Sequence, residues 1–317
     1  MSSTSSPLQN LFNNLASVIY GKNDALLLAL TTLLCGGHLL IDDVPGLGKT
    51  TLAKALARSM AMRFDRIQCT PDLMPSDITG INVYNAEEHR FHFIPGPVFT
   101  DILLADEINR ATPRTQSALL EAMAERSISI DRETRELPAH FMVIATQNPV
   151  ESAGTYPLPE AQLDRFFMRV SLGYPDQAEE IKILTRQPHK QPLQALVPVM
   201  TAEQLTRFSQ MADATRMDDS LYRYITDLVA ATRQHPAIRL GSSPRGSLAL
   251  AAAAKAYAFL TGKKFVTPDH IQRLVDPVLG HRLLFNDAHL YQPEARLRFI
   301  AELIGEVATP DYTETAA

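Results

Sequence analysis

The stretch that decides the fold is Leu39-Leu40-Ile41-Asp42-Asp43-Val44-Pro45-Gly46-Leu47-Gly48-Lys49-Thr50-Thr51. Its apolar start predicts a buried strand, its glycines and proline predict a turn, and residues 52–57 (LAKALA) predict a helix. A helix that follows such a loop presents backbone N–H groups and the positive end of its dipole to an anion. The stretch therefore predicts a loop that binds phosphate.

Two side chains of this loop have the chemistry that a nucleoside triphosphate needs. Lys49 is placed to reach the β- and γ-phosphates, and the Thr50 hydroxyl to hold Mg²⁺. The general pattern of such loops begins with glycine, whereas this loop has Asp43 at that position. The nucleotide-binding residues predicted here are Asp43, Val44, Pro45, Gly46, Leu47, Gly48, Lys49, Thr50 and Thr51. The alternative is a strand, turn and helix in which Gly-Leu-Gly-Lys-Thr occurs by chance.

The composition favours a folded protein of two domains, at about 150 residues per domain. The chain has 317 residues, of which 45% are hydrophobic, and a net charge of -5, which argues against a protein that coats nucleic acid. Cys35 and Cys69 form no Cys-x-x-Cys pair, so we expect two buried thiols in a reducing cytoplasm. Residues 1–7 lack the pattern of a secretory signal, and glycines interrupt the uncharged run 25–41. We therefore expect neither a signal peptide nor a membrane span.

A second apolar run, residues 101–107 (DILLADE), ends in two carboxylates. Because ligands of open α/β sheets lie beyond the C-terminal ends of strands, Asp106 is placed to hold Mg²⁺ through its water shell and Glu107 to polarise a water aimed at the γ-phosphate. We expect this strand to adjoin that of the phosphate loop. A third run, 141–146, precedes Asn148, whose amide is placed to bond the attacking water or the γ-phosphate. For the run 101–107, the alternative is a strand that ends in solvent with two acidic residues.

Three shorter segments complete the N-terminal half. Ile19, Tyr20 and Gly21 lie in a tight apolar turn that either lines an adenine pocket or simply joins two helices. Residues 80–98 and 127–137 each alternate apolar and polar residues around a charged segment, 87–90 and 131–135 respectively. Both patterns are typical of β-hairpins with polar tips.

The character of the chain changes after Tyr174-Pro175. We predict an α/β domain over residues 1–175, a helical domain over 176–308 and a loose tail over 309–317. The last strand of the first domain is predicted at 167–172. In the second domain, an Ala-rich helix is predicted over 247–260, preceded by a turn at 241–245 that contains Pro244 and Arg245.

Taken together, five motifs resemble the AAA+ ATPases, and within them the MoxR family. They are residues 42–50 (DDVPGLGKT), 104–111 (LADEINRA), 118–123 (ALLEAM), 145–149 (ATQNP) and 154–166 (GTYPLPEAQLDRF). Asp43 at the first position of the loop is itself similar to the MoxR variant. The resemblance implies a P-loop α/β core with a five-stranded parallel sheet between helices, two β-hairpin insertions and an all-α lid domain.

The resemblance also implies a role for each candidate residue. Lys49 and Thr50 look like the Walker A residues, Asp106 and Glu107 like Walker B, Asn148 like sensor 1, Arg165 like an arginine finger and Arg245 like the sensor 2 arginine. The alternative for Arg165 is a surface ion pair with Asp164 or Glu160, and the alternative for Arg245 is a packing role in the lid. In this branch the lid can be displaced, so Arg245 acts either on its own nucleotide or on a neighbour's.

A MoxR-type protein is expected to hydrolyse ATP with Mg²⁺, to form a hexameric homo-oligomer and to remodel or activate a client, such as a protein with a von Willebrand A domain. A helicase-type motor is one alternative, but the hairpin tips mix acidic with basic residues, so we expect no stable nucleic-acid binding. A chelatase motor subunit shares the core motifs. A scaffold that binds ATP and turns it over slowly is the non-enzymatic alternative.

Overall fold

The computed structural model of the chain describes residues 6–148, 154–185 and 193–310. The tail predicted from residue 309 lies outside these ranges from residue 311 onward. In chain order the strands are β1 (Leu39–Asp42), β2 (Phe64–Gln68), β3 (Gly80–Asn85), β4 (Arg90–Pro95), β5 (Ile102–Asp106), β6 (Ser127–Ile130), β7 (Glu133–Glu136), β8 (Met142–Gln147), β9 (Met168–Val170), β10 (Ile238–Leu240) and β11 (Leu284–Phe285). The helices are α1 (Pro7–Val18), α2 (Asn23–Leu34), α3 (Lys49–Ser59), α4 (Pro75–Thr79), α5 (Pro113–Glu125), α6 (Glu160–Leu163), α7 (Gln177–Thr185), α8 (Ala202–Asp213), α9 (Asp219–Gln234), α10 (Pro244–Leu260), α11 (Pro268–Leu279) and α12 (Pro293–Glu306), with 3-10 turns at Ile108–Arg110 and Ala288–Tyr291.

A five-stranded parallel sheet forms the centre of the core, in the order β2-β5-β8-β1-β9. The predicted five-stranded sheet is thus confirmed. We expected from the sequence that the acidic strand β5 would adjoin β1, and this expectation was wrong. Strand β8 lies between them and pairs with both. The three strands end at the same edge, so the phosphate loop after β1 and the carboxylates after β5 are separated by the end of β8.

Hydrophobic layers cover both faces of the sheet. On β1, Leu39 and Ile41 pack with helices α1 to α3, while Leu40 packs on the opposite face with α5. This alternation follows from the two-residue period of a strand, and it explains why β1 reads as a continuous apolar run. Cys69 is buried in the second layer as expected, whereas Cys35 is partly exposed.

Both predicted hairpins are present. The first pairs β3 with β4, and the second pairs β6 with β7. The tip of the second is shorter than the charged segment suggested, because only Asp131 and Arg132, both with positive φ, form the turn. The two hairpins are joined: Asn82 Nδ2 donates to Asp131 Oδ2 at 2.6 Å, and the Arg135 guanidinium lies 4.1 Å from the centre of the Phe93 ring.

The second half of the chain folds into helices that pack on the first layer, and it adds one feature that the sequence did not indicate. Strands β10 and β11 pair antiparallel, with Ile238 opposite Phe285. Helix α10 begins at Pro244, three residues before the predicted start, because the Ser243 hydroxyl caps it. The last core strand, β9, is shorter than the predicted 167–172. The division into domains at residue 175 stays a prediction. Across the described ranges, no helix combines the length and apolarity needed to cross a membrane.

Candidate active site

The phosphate loop connects β1 to α3 in a conformation that depends on two glycines. Gly46 has φ 90° and Gly48, the N-cap of α3, has φ 93°. Residues with a side chain rarely adopt this region, which allows the loop to turn its backbone N–H groups toward the helix start. A Cβ on Gly48 would lie 3.5 Å from Ile19 Cδ1, so the side chain of Ile19 lies beside the loop.

Lys49 is a buried cation at the start of α3, only 8% exposed. Its ammonium donates to the backbone carbonyl oxygens of Asp43 at 2.5 Å and Gln147 at 3.4 Å. Burial lowers the pKa of Lys49 from its usual 10.5, and the nearby carboxylates of Asp43, Asp106, Asp42 and Glu107 oppose this shift. Neutral carbonyls leave the ammonium charge uncompensated at short range. A phosphate at the helix start therefore fits this site.

Asp43 has a role that the sequence did not indicate. Its carboxylate accepts hydrogen bonds from Ser171 Oγ at 2.6 Å, from the N–H of Leu172 at 2.5 Å and from the N–H of Gly173 at 3.4 Å. The side chain is thus directed at the end of β9 and not at the phosphate side of the loop. An aspartate in place of the first glycine ties the entry of the loop to the edge strand of the sheet.

Asp106 and Glu107 lie at the end of β5, and Thr146 of β8 bonds the carboxylate of the first and the backbone of the second. The Thr146 hydroxyl donates to Asp106 Oδ1 at 2.6 Å and accepts the N–H of Glu107 at 2.9 Å. Glu107 has φ 56°, a left-handed conformation that side chains rarely adopt. Such strain commonly marks functional positions, because the surrounding contacts must hold it in place.

Three further polar residues hold these carboxylates, and sequence reasoning missed them. Arg66 pairs with Asp106 Oδ2 at 2.7 Å. Gln68 Nε2 and Arg110 Nη1 donate to Glu107 Oε2 at 3.0 and 3.2 Å. Arg66 and Gln68 alternate along β2, so the period of the strand was the available signal that both side chains share one face beside β5.

The residues predicted to hold Mg²⁺ are compatible with that ion. The second residue of α3, Thr50, supplies a hydroxyl, and Asp106 supplies a carboxylate at the same edge of the sheet. Mg²⁺ prefers oxygen ligands and usually takes one or two from protein, the rest from phosphates and water. In the described ranges, no group of three or more His, Cys, Asp or Glu side chains forms a self-sufficient metal site. Asn148 follows directly after β8, beside the end of β5.

Arg165 and Arg245 lie apart from the phosphate loop and from the carboxylates of Asp106 and Glu107. Both line a surface cavity of about 340 Å³ whose walls include no residue of the phosphate loop and neither of the two carboxylates. Arg165 does not form the alternative ion pairs, because Asp164 pairs with Arg282 and Glu160 with Arg239. Its Nη1 donates to the Leu120 carbonyl at 2.6 Å, and its Nε is buried without a partner. The structure therefore separates the predicted site into two parts.

Known proteins resemble this chain over almost its whole length. A family profile described as the ATPase family associated with various cellular activities matches residues 38–168, and an AAA lid domain profile matches 230–300. Protein YeaC of Bacillus subtilis, described as uncharacterized, is 47% identical over 92% of both chains. Chaperone MoxR1 of Mycobacterium tuberculosis is 39% identical over 84% of this chain and 73% of its own. A crystal structure from Cytophaga hutchinsonii whose description names an ATPase superposes with a TM-score of 0.88 at 35% identity, covering 96% of this chain and 95% of the other.

Proposed function

Since this chain belongs to the MoxR family of AAA+ ATPases, we propose that it couples Mg²⁺-dependent ATP hydrolysis to the remodelling or activation of a partner protein. The observation that carries this proposal is the buried ammonium of Lys49, held by carbonyls at a helix start, with the carboxylates of Asp106 and Glu107 among its neighbours. Phosphoryl transfer requires mainly positioning and charge stabilisation, and this arrangement provides both.

Each residue has a proposed part in hydrolysis. The loop N–H groups and Lys49 bind the phosphates, and the turn at Ile19, Tyr20 and Gly21 receives the adenine. Thr50 and Asp106 would hold Mg²⁺, which supplies positive charge to the β- and γ-oxygens when bound. Glu107 takes the proton of the attacking water, and Asn148 orients that water. Gln68 and Arg110 fix the direction of the Glu107 carboxylate through their hydrogen bonds.

The position of the two arginines supports a homo-oligomer. Arg165 and Arg245 share a cavity that the chain's own phosphate loop does not line, so we propose that both act on the nucleotide of a neighbouring copy. This choice extends the sequence prediction, which left Arg245 open between the two sites. A closed ring is the assembly in which every nucleotide receives such arginines, and a hexamer is the number that the resemblance implies.

Mass measurement with and without ATP tests the assembly. We expect a ring with ATP, and a chain that stays monomeric yet hydrolyses ATP quickly would refute the proposal for Arg165. Co-purification with Glu107→Gln protein held in ATP tests the partner, which we propose is a cytoplasmic client or a von Willebrand A domain protein. Turnover stimulated by DNA with a steep salt dependence would instead favour a helicase-type motor.

A further inference from the structure

We propose that Arg126 is a third arginine of the cavity that receives the neighbouring copy's triphosphate, beside Arg165 and Arg245. The inference rests on the proposed function, because it requires an assembly in which one copy presents this cavity to the nucleotide of the next. Neither the motifs nor the sequence periodicity singled out Arg126.

The cavity is strongly positive. Its charged walls are the guanidinium groups of Arg126, Arg165, Arg245 and Arg282 and one carboxylate, Asp164. Asp164 is already satisfied, since it accepts Arg282 Nε at 2.8 Å and the Ser243 hydroxyl at 3.2 Å. Glu121 and Glu125 of α5 lie in an adjoining cavity that shares Arg165 with this one. Three guanidinium groups therefore remain in the cavity without an ion pair to a described residue.

Arg126 is held in place without being neutralised. It is the C-cap of α5 with φ 51°, and it donates from Nη1 to the Ala139 carbonyl at 3.0 Å and from Nη2 to the Gly36 carbonyl at 2.5 Å. Gly36 permits this approach, since a Cβ there would lie 3.2 Å from Nη2. A guanidinium has five N–H donors, so two bonds to neutral carbonyls leave donors and the full charge for an anion.

The chemistry of the cavity fits a polyphosphate that arrives with another protein. Guanidinium groups recognise phosphate oxygens through paired hydrogen bonds, and three of them suit the charge of a triphosphate. The rim carries Leu248, which is 72% exposed, as expected of a surface that a protein covers. No residue of the phosphate loop lines this cavity, and in the proposed function the loop and Lys49 bind the chain's own nucleotide. Under the proposed function, the anion that this cavity receives is the triphosphate held by a second copy.

A mixing experiment separates action on a neighbour from action within one chain. Arg126→Gln keeps an amide donor for the Gly36 or Ala139 carbonyl but removes the charge, and we expect a turnover loss of about 10²-fold with unchanged affinity for ATP. Glu107→Gln protein is inactive but still presents its arginines. Mixed in equal amounts, the two variants should hydrolyse ATP several-fold faster than the sum of their separate rates, because intact Arg126 then faces the intact loop of the other variant.

Controls make the result unambiguous. Arg114→Ala removes an exposed arginine from the start of the same helix and should leave turnover unchanged. Urea unfolding of Arg126→Gln should match the parent, and full activity in this variant would reduce Arg126 to a helix cap. If Arg165→Ala is rescued by mixing and Arg126→Gln is not, the inference fails while the proposed function stands. If neither is rescued, the proposed action in trans fails as well.

Discussion

The phosphate loop and the arginine cavity both contain positively charged side chains, yet they are assembled in opposite ways. The loop takes its residues from one continuous stretch, and its cation, Lys49, is buried and bonded to carbonyls. The cavity collects arginines from the end of α5, the segment after α6 and the start of α10, and it opens to solvent. The comparison teaches that the loop is built from one local stretch, whereas the cavity requires distant segments to meet. Under the proposed function, nucleotide binding is therefore a local property, and hydrolysis depends on how segments and copies come together.

The sharpest way to break this comparison is Arg165→Ala. If the cavity serves hydrolysis and not binding, turnover should fall by about 10³–10⁵-fold, the range that arginine fingers contribute. The dissociation constant for ATP, measured with a fluorescent analogue, should stay within about twofold of the parent, because Lys49 is untouched. A loss of affinity as large as the loss of turnover would place Arg165 at its own nucleotide.

Glu107→Gln tests the carboxylate that follows β5, which we propose acts on the nucleotide bound by the phosphate loop. The amide keeps the shape of the side chain and a hydrogen-bond acceptor for Gln68, but it cannot take a proton. Turnover should fall by about 10²–10⁴-fold while ATP still binds. Single-turnover hydrolysis and filter binding of labelled ATP measure the two quantities. Normal turnover would remove Glu107 as the base, and the matched Glu302→Gln variant at an exposed position of α12 should retain activity.

Acid should destabilise the fold through His38, which lies beside the arginine cavity. His38 lines the cavity and is buried, with Nδ1 accepting the Val143 N–H at 2.9 Å and Nε2 3.1 Å from the Met123 carbonyl. Burial lowers the pKa of His38 from 6.5 to about 4, with nearby Arg126 acting in the same direction and the bond to Met123 opposing it. The unfolded chain thus binds this proton more readily than the folded chain. The contribution of neutral His38 to the free energy of unfolding is therefore complete above pH 6.5 and declines as the pH falls toward 4.

The expected loss from His38 is about 2 to 3 kcal/mol between pH 7 and pH 4.5. Urea unfolding at the two pH values measures it. His281 has a pKa shifted in the same direction, so the parent must be compared with His38→Gln, which supplies one acceptor and one donor but does not titrate. An equal pH dependence in the two proteins would contradict the assignment.

Asp43→Asn should have the smallest effect of these variants. It tests the tie between the loop and β9, which consists of the hydrogen bonds that the Asp43 carboxylate accepts from residues 171–173. One amide oxygen cannot replace a carboxylate that accepts three hydrogen bonds, so we expect a loss of about 1–3 kcal/mol in the free energy of unfolding, with weaker ATP binding. Urea titration and nucleotide binding measure the two effects. Asp65→Asn, at an exposed position of β2, should change neither quantity, and an unchanged Asp43→Asn protein would show that the tie is dispensable.

The sequence predicted the elements better than their arrangement. Strands β1, β5 and β8, both hairpins and the loop depend on local periodicity and turn residues, and they were found where expected. The order of parallel strands depends on how crossover helices pack, so the place of β8 between β1 and β5 was not readable from spacing. Asp43 was assigned to the nucleotide because nothing in the loop reveals a partner about 128 residues away in the chain, at Ser171.

The same limit applies to the candidate site. Lys49 and Asp106 belong to contiguous motifs, whereas Thr146 reveals its role only when β8 lies beside β5. Arg126 resembles any helix-ending arginine until Gly36 is seen beside it. The assignments of Arg165 and Arg245 to a neighbour's nucleotide, the hexamer and the client stay predictions.

The joined hairpins have a mechanical consequence. Because Asn82 is bonded to Asp131 and Arg135 stacks on Phe93, the two insertions form one stiff projection. Its free surface carries Tyr84 and Phe91, which are 50% and 69% exposed. The second hairpin connects α5 to β8, and near its far end β8 carries Thr146, which bonds Asp106. A displacement that starts there would tilt the whole projection as a lever, so its aromatic end would travel further than the residues that set it in motion.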